Sequence, residues 1–182
     1  MRILAIHADR ISWKATRKTK FAEETDQKAD EMTNCVVLFS SVEKLDEKDP
    51  QKVIAGATHD VTARLNMVKV NKVVIFPYAH LTSTLSSPPV ALTVLKGLED
   101  SLKAHGLEVK RAPFGWYKEY EIKSTGHPLS ELSMTICPYE GGNCDFLCPY
   151  CSNPITVKDL EDTGKAEGHE PVPGTGSLKT ES

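Results

Sequence analysis

The chain contains no run of about 18 apolar residues, the length a membrane-spanning helix needs. Neither sign of charge dominates: 22 Lys and Arg against 25 Asp and Glu leave a net charge of −3 and a pI near 6.1. There is thus no global basic field, and any nucleic acid would have to be met by a local patch. The opening Met-Arg-Ile-Leu-Ala-Ile-His is too short and too soon interrupted for a secretory leader, so the expectation is a cytosolic protein. No internal repeat is present. What remains, 182 residues with 40% hydrophobic and 26% charged side chains, suits one domain plus an appendage.

Cysteine is scarce over most of the chain. Cys35 stands alone in an apolar run and reads as an inert core thiol. Cys137, Cys144, Cys148 and Cys151 all fall within fifteen residues. In a cytosolic chain that clustering favours metal binding over disulfides.

Arg2 to Ala8 reads as a buried strand and Ile11 to Thr16 as a second, less cleanly alternating one. The polar stretch 17–33 reads as a solvated loop or short helix, and Asn34 to Val42 as another strand. Asp49-Pro50 supplies an N-cap and a first-turn proline. Val53, Ile54, Ala57, Val61, Leu65 and Val68 follow at helical spacing, so a helix is expected over 50–68. Lys72 to Phe76 is a short β-branched strand. Ser87-Pro88-Pro89 starts a second helix, which His105-Gly106 ends. Leu107 to Ala112 and Trp116 to Ser124 read as a pair of strands, and a short helix is expected around Pro128 to Ser133. The order predicts an α/β or α+β layer fold, a mixed sheet with two main amphipathic helices. Two regions follow: a domain over 1–136 and a Cys-rich, largely irregular tail over 137–182, disordered beyond Asp162.

Three islands carry residues suited to gripping a small polar ligand. Phe76-Pro-Tyr-Ala-His80 ends a strand, and strand carboxyl ends are where α/β sheets bind ligands. Lys118 sits in a strand beside Trp116 and Tyr117, where partial desolvation would lower its pKa and suit it to proton transfer. Glu131 lies in Gly126-His-Pro-Leu-Ser-Glu-Leu132. Each also has an ordinary structural reading: a strand-end histidine, a solvent-facing lysine, a helix-start carboxylate.

Five ordered segments resemble the N-terminal editing domain of archaeal threonyl-tRNA synthetases over residues 1 to about 136: Arg2-Ile-Leu-Ala-Ile-His-Ala-Asp9, Ser41 to Pro50, Pro77-Tyr-Ala-His-Leu81, Ala112-Pro-Phe-Gly-Trp-Tyr-Lys118 and Gly126 to Ser133. The resemblance implies the fold of D-aminoacyl-tRNA deacylases, a homodimer, and hydrolysis of L-serine misattached to threonine tRNA. Such an activity answers a binding limit, since one missing methylene gives a synthetase only about 10–200-fold discrimination. On this resemblance Lys118, His80, Tyr117 and Glu131 are the catalytic candidates. Lys118 would orient water or assist proton transfer, His80 would position water or the terminal ribose, and Glu131 would hold Lys118. Phe114, Pro77, Ala79 and Val42 would surround the seryl group and terminal adenosine. The 2′-hydroxyl of the tRNA's last ribose would take part directly, so no cofactor is expected for editing. His7 and Asp9 would be supports near the pocket, and His127 a turn residue. The implied partners are tRNA(Thr) carrying serine and a threonyl-tRNA synthetase. A chiral proofreader of D-aminoacyl-tRNA on the same fold is the alternative.

The tail departs from that family. Cys144-x3-Cys148-x2-Cys151 resembles the cluster loop of radical S-adenosylmethionine enzymes, whose three thiolates hold a [4Fe–4S] cluster. Only 31 residues follow Cys151, too few for the barrel such an enzyme needs. With Cys137 as a fourth thiolate, a structural zinc site competes, as do unligated cysteines. A non-catalytic, metal-bearing remnant of such a fusion therefore stands as a further alternative.

Overall fold

The structure, a computed structural model, describes residues 1–138 and a separate two-residue pairing of Phe146–Leu147 with Pro154–Ile155. The first unit runs β1 (Arg2–Lys18), β2 (Ala29–Ser41), α1 (Pro50–Val68), β3 (Lys72–Pro77), α2 (Pro88–Ala104), β4 (Glu108–Arg111), β5 (Trp116–Ser124) and β6 (Glu131–Thr135). One 3-10 turn, Lys44–Lys48, precedes α1 and another, Ala79–Leu81, follows β3. Strand order is β4-β3-β2-β1-β5. β2, β3 and β4 are parallel, while β1 runs antiparallel to β2, β5 and β6. The outer edge of β1 is shared, with β6 along residues 2–6 and β5 along residues 8–18.

Both helices begin and end where the residue chemistry dictates. The Asp49 side chain accepts from Lys52 N at 2.9 Å, closing the first turn of α1, and Lys69 at φ 57° ends it in the left-handed region. The stripe Ala91, Val94, Leu95, Leu98 and Leu102 of α2 is buried. With Val53, Ile54, Ala57, Val61 and Leu65 of α1 it covers one face of the sheet. Gly97 lets the helices meet, since a Cβ there would lie 2.4 Å from Ile54 Cδ1.

β1 is one strand where the sequence suggested two. Ile3 and Ala5 join the helix-covered core, whereas Ile11 and Trp13, of the same parity, join the core on the opposite face. The pleat therefore changes phase near Asp9. β2 changes phase at the same level: Val36 and Leu38 face the helices, Met32 faces away, and Asn34 between them takes φ 48°. A phase change of this kind mimics a strand break in sequence, because one alternation stops and another starts. For the same reason the expected loop over 17–33 is shorter: β1 continues to Lys18 and β2 starts at Ala29.

The sheet is curled. β4 and β5 stand at opposite ends of the strand order, yet only 112–115 separates them. Flat, four inter-strand steps would span about 19 Å, beyond the roughly 17 Å reach from Arg111 to Trp116. The curl brings the Tyr120 ring of β5 to 5.6 Å from Phe39 and 5.2 Å from Phe76. β4 and β5 are thus successive without pairing. The helix expected at 128–133 is a turn leading into β6: Ser130 N donates to His127 O at 2.8 Å and His7 N to Ser130 O at 2.6 Å.

Candidate active site

The parallel strands β2 and β3 end at Ser41 and Pro77, and the chain leaving each turns outward. Tyr78 N donates to Ser40 O at 2.9 Å, and the Ser41 hydroxyl donates to Tyr78 O. These bonds hold the two strand ends together. The start of β5 curls over them, leaving a cavity of about 620 Å³. Lys118, His80, Tyr117, Phe114, Pro77, Ala79 and Val42 all line it, so seven of the eight residues singled out in the sequence meet in one place.

Glu131 does not line this cavity. It is exposed on β6, opposite Ile6. The holding role expected of it belongs to backbone: Lys118 Nζ donates to Pro113 O at 3.0 Å and to Trp116 O at 3.1 Å. The nitrogen also stands 5.2 Å from the centre of the Phe76 ring. Burial pushes the lysine pKa down to about 8, with Glu23 pulling weakly the other way. At neutral pH the ammonium is the major form. Two N–H groups are spent on carbonyls and a third remains.

The carbonyls that hold Lys118 sit in a stapled loop. Glu23 receives Arg111 Nη1 at 2.5 Å and Phe114 N at 2.6 Å, and its own carbonyl receives Trp116 Nε1 at 2.9 Å. Burial raises the Glu23 pKa, but Arg111 and the Phe114 N–H outweigh it and the net shift is downward. Gly115, at φ 74°, lets the 19–22 segment approach, since a Cβ would come 2.5 Å from Phe21 O and 2.7 Å from Ala22 N. Thr19 accordingly bonds Gly115 O through both its amide, at 3.0 Å, and its hydroxyl, at 2.7 Å.

His80 is exposed in the turn after β3, its ring edge-on to Tyr78 at 5.1 Å. Tyr117 sits at the rim, 55% exposed, with the Arg17 guanidinium 4.6 Å above its ring. Residues the sequence reading missed include Tyr120, Tyr78, Ser41 and Phe21. Tyr120 was discoverable, because strand alternation puts it on the face of Lys118. Its phenol pKa is raised, first by burial and then by the neighbouring Tyr78. Phe21, in a polar connection, carried no signal.

His7 and Asp9 do not line the cavity. His7 Nδ1 and His127 Nε2 are 2.8 Å apart, and Asp9 pairs with Lys123 at 3.0 Å. His127 Nδ1 accepts from Leu129 N at 3.1 Å, as a turn residue would. Of the candidate metal ligands, Cys144, Cys148 and Cys151 lie outside the described residues, and Cys137 is half-buried just after β6. Among the described residues no three His, Cys, Asp or Glu gather to hold a metal.

Residues 1–136 match the family model of the archaea-specific editing domain of threonyl-tRNA synthetase. The threonine–tRNA ligase of Methanocaldococcus jannaschii is 46% identical over 166 residues, covering 88% of this chain and 26% of the ligase. That of Methanoregula boonei is 48% identical over 142 residues, covering 78% and 23%. The chain therefore spans about a quarter of the length of these ligases. A solved structure of the c-Myc DNA Unwinding Element Binding Protein superposes with a TM-score of 0.53 at 12% identity, over 74% of this chain and 98% of that one. At that identity the likeness concerns fold alone, and the mixed sheet with two helices is the D-aminoacyl-tRNA deacylase-like fold that the family resemblance implied.

Proposed function

This chain belongs to the archaea-specific editing domain family of threonyl-tRNA synthetase, a proofreading unit of protein biosynthesis, and from that premise we propose that its cavity hydrolyses L-seryl-tRNA(Thr). The observation that carries the proposal is the placement of Lys118: its Nζ is bonded to two backbone carbonyls in the wall of a cavity that His80 also lines, and burial there pushes its pKa down to about 8. The scissile bond is an activated ester, so hydrolysis needs a placed water and relief of charge developing on oxygen. The ammonium, mostly protonated at neutral pH, supplies that charge and orients the water. His80 positions water or the terminal ribose. The proposed step draws on water, the lysine and the substrate's own 2′-hydroxyl, and requires no cofactor.

Discrimination is steric. Threonine carries one more methyl than serine, and a wall that clashes with it rejects threonine where a binding pocket could not reject serine. A homodimer, a threonyl-tRNA synthetase as working partner and a cytoplasmic location complete the proposal on the strength of the family. No helix among the described residues is long and apolar enough to cross a membrane. The test is deacylation of Ser-tRNA(Thr), Thr-tRNA(Thr) and a D-aminoacyl-tRNA in parallel. Preference for the first supports the proposal. Equal hydrolysis of the first two removes the discriminating wall, and preference for the third transfers the site to chiral proofreading.

A further inference from the structure

The cavity has two unlike lips. One is built from the 78–86 segment, and none of its lining residues is lysine or arginine. The other takes Thr19 and Phe21 from the connection after β1 and 114–118 around the start of β5, and cations just outside that lining stand over its rings. Arg17 stands 4.6 Å from the Tyr117 ring centre, Lys20 4.9 Å from that of Phe21, and Lys28 5.7 Å from that of Trp116. Phe21 and Tyr117 are 50% and 55% exposed, so both ring and charge face solvent. Lys18 belongs to the same lip but is neutralised by Glu24, at 2.6 and 2.8 Å. Arg17, Lys20 and Lys28 form no ion pair with a carboxylate among the described residues, though Lys28 lies within the field of Glu24.

Exposed aromatic faces interleaved with unspent cations are the composition of a single-stranded nucleic-acid platform, where bases stack and phosphates are neutralised. The stapling of 19–23 to 113–116 fixes this lip next to Lys118. We propose that the Arg17–Lys20–Lys28 lip is the path by which the single-stranded 3′ acceptor end of tRNA leaves the cavity, with phosphates on the three cations and a base against Phe21 or Tyr117. The inference rests on the editing function proposed above and adds the direction from which the RNA enters. It also reconciles an acidic chain with an RNA substrate, since the charge is local.

The test uses the full chain carrying Arg17→Ala, Lys20→Ala and Lys28→Ala together. A charge-matched control carries Lys52→Ala, Lys103→Ala and Lys123→Ala. Kinetics are followed on Ser-tRNA(Thr) and on 3′-O-seryl-adenosine, which has no phosphate. The lip variant is expected to raise KM for the tRNA at least 10-fold more than for seryl-adenosine. It should also flatten the slope of log KM against log salt by about 2, from three contacts at about 0.7 each. The control should do neither. An unchanged KM and slope, or an equal loss on both substrates, overturns the proposal. If the wild type hydrolyses neither substrate, the editing function fails, and binding then decides the lip alone. A 5′-fluorescein acceptor-stem hairpin ending in single-stranded CCA should bind the wild type about 10-fold more tightly than the lip variant, and equal binding overturns the inference.

Discussion

The two faces of this sheet are built from different residues. Under α1 and α2 the buried core is aliphatic, with no aromatic side chain among its members in the described residues: Val, Ile, Leu, Ala and Met fill it. On the opposite face Trp13, Phe39 and Phe76 are the largest members of a core shared with Ile11, Met32, Val37, Val74 and smaller side chains, and among the described residues neither α1 nor α2 belongs to it. Tyr78 and Tyr120 close over this second core. Aliphatic side chains suit a closed interior, where close packing is the main return on burial. Aromatic rings tolerate a half-open position, since an edge or hydroxyl can face water while the ring stays packed. The cavity opens where the faces meet, with Leu95 and Ala91 from one and Phe76 and Tyr120 from the other. Residues deep under the helices, such as Leu98, lie outside the cavity lining, so stability can be probed apart from the site.

The largest effects should come from one substitution on each face, with opposite signatures. Leu98→Ala removes a side chain with 0% exposure from the helix-covered core and should cost about 2–5 kcal/mol. Turnover per folded molecule should not change, as urea unfolding and active-fraction kinetics would show. Lys118→Met should cost about 10²-fold or more in deacylation without lowering the melting temperature at pH 7. The sign follows from linkage. The folded-state lysine pKa, about 8, lies below the unfolded value of about 10.4, so the native state binds fewer protons between them. Native stability thus rises with pH across that window, and the penalty for the buried ammonium is present in full below it. Removing the ammonium relieves roughly 1–3 kcal/mol, offset by two carbonyls left without their donor. The wild type should gain stability relative to Lys118→Met between pH 7 and 10, and its catalytic advantage should shrink as pH passes 8. A variant that loses both activity and stability at pH 7 would merge the two faces into one.

Gly115→Ala comes next. At φ 74° a Cβ is strained, and here it also meets the Phe21–Ala22 backbone at 2.5–2.7 Å. The cost should be about 2 kcal/mol with about a 10-fold loss of activity, because the loop carrying the Pro113 and Trp116 carbonyls must shift. Melting temperature and kcat should fall together, and a lone fall in stability would detach the loop from the chemistry.

Much of the helix-covered face was legible in sequence because its signals are local: Asp49-Pro50, Ser87-Pro88-Pro89, His105-Gly106 and helical apolar spacing mark α1 and α2 directly. The aromatic face was less so. Its strands change phase at Asp9 and Asn34, so one long pairing read as fragments. β6 offers one buried residue in its span, Met134, and a single inward side chain defines no period, so Pro128 was taken for a helix start. Seven of the eight candidate residues line one cavity; the family resemblance named them, and local pattern alone pointed only to His80, Lys118 and Glu131, whereas the partners of Lys118 are backbone carbonyls, which carry no side-chain signature. The salt-bridged clamp of Glu23 on Arg111 joins residues 88 apart, and no local pattern encodes that.

The smallest effect sharpens the comparison most. Tyr120 packs its ring on Phe39 and Phe76. Burial pushes its phenol pKa up, away from the value a general base would need. Tyr120→Phe keeps the ring and removes only the hydroxyl, at a cost of about 1 kcal/mol and a change in kcat/KM of a few-fold at most. Tyr120→Ala also removes the cover over two buried phenylalanines and should cost about 3 kcal/mol or more. If the phenylalanine variant instead loses as much activity as Lys118→Met, the hydroxyl acts on the substrate, and the aromatic face is chemical machinery beyond a lid for its own core. Comparing the two Tyr120 variants in one deacylation assay decides between those roles, because only a chemical role makes the milder substitution as damaging as the harsher one.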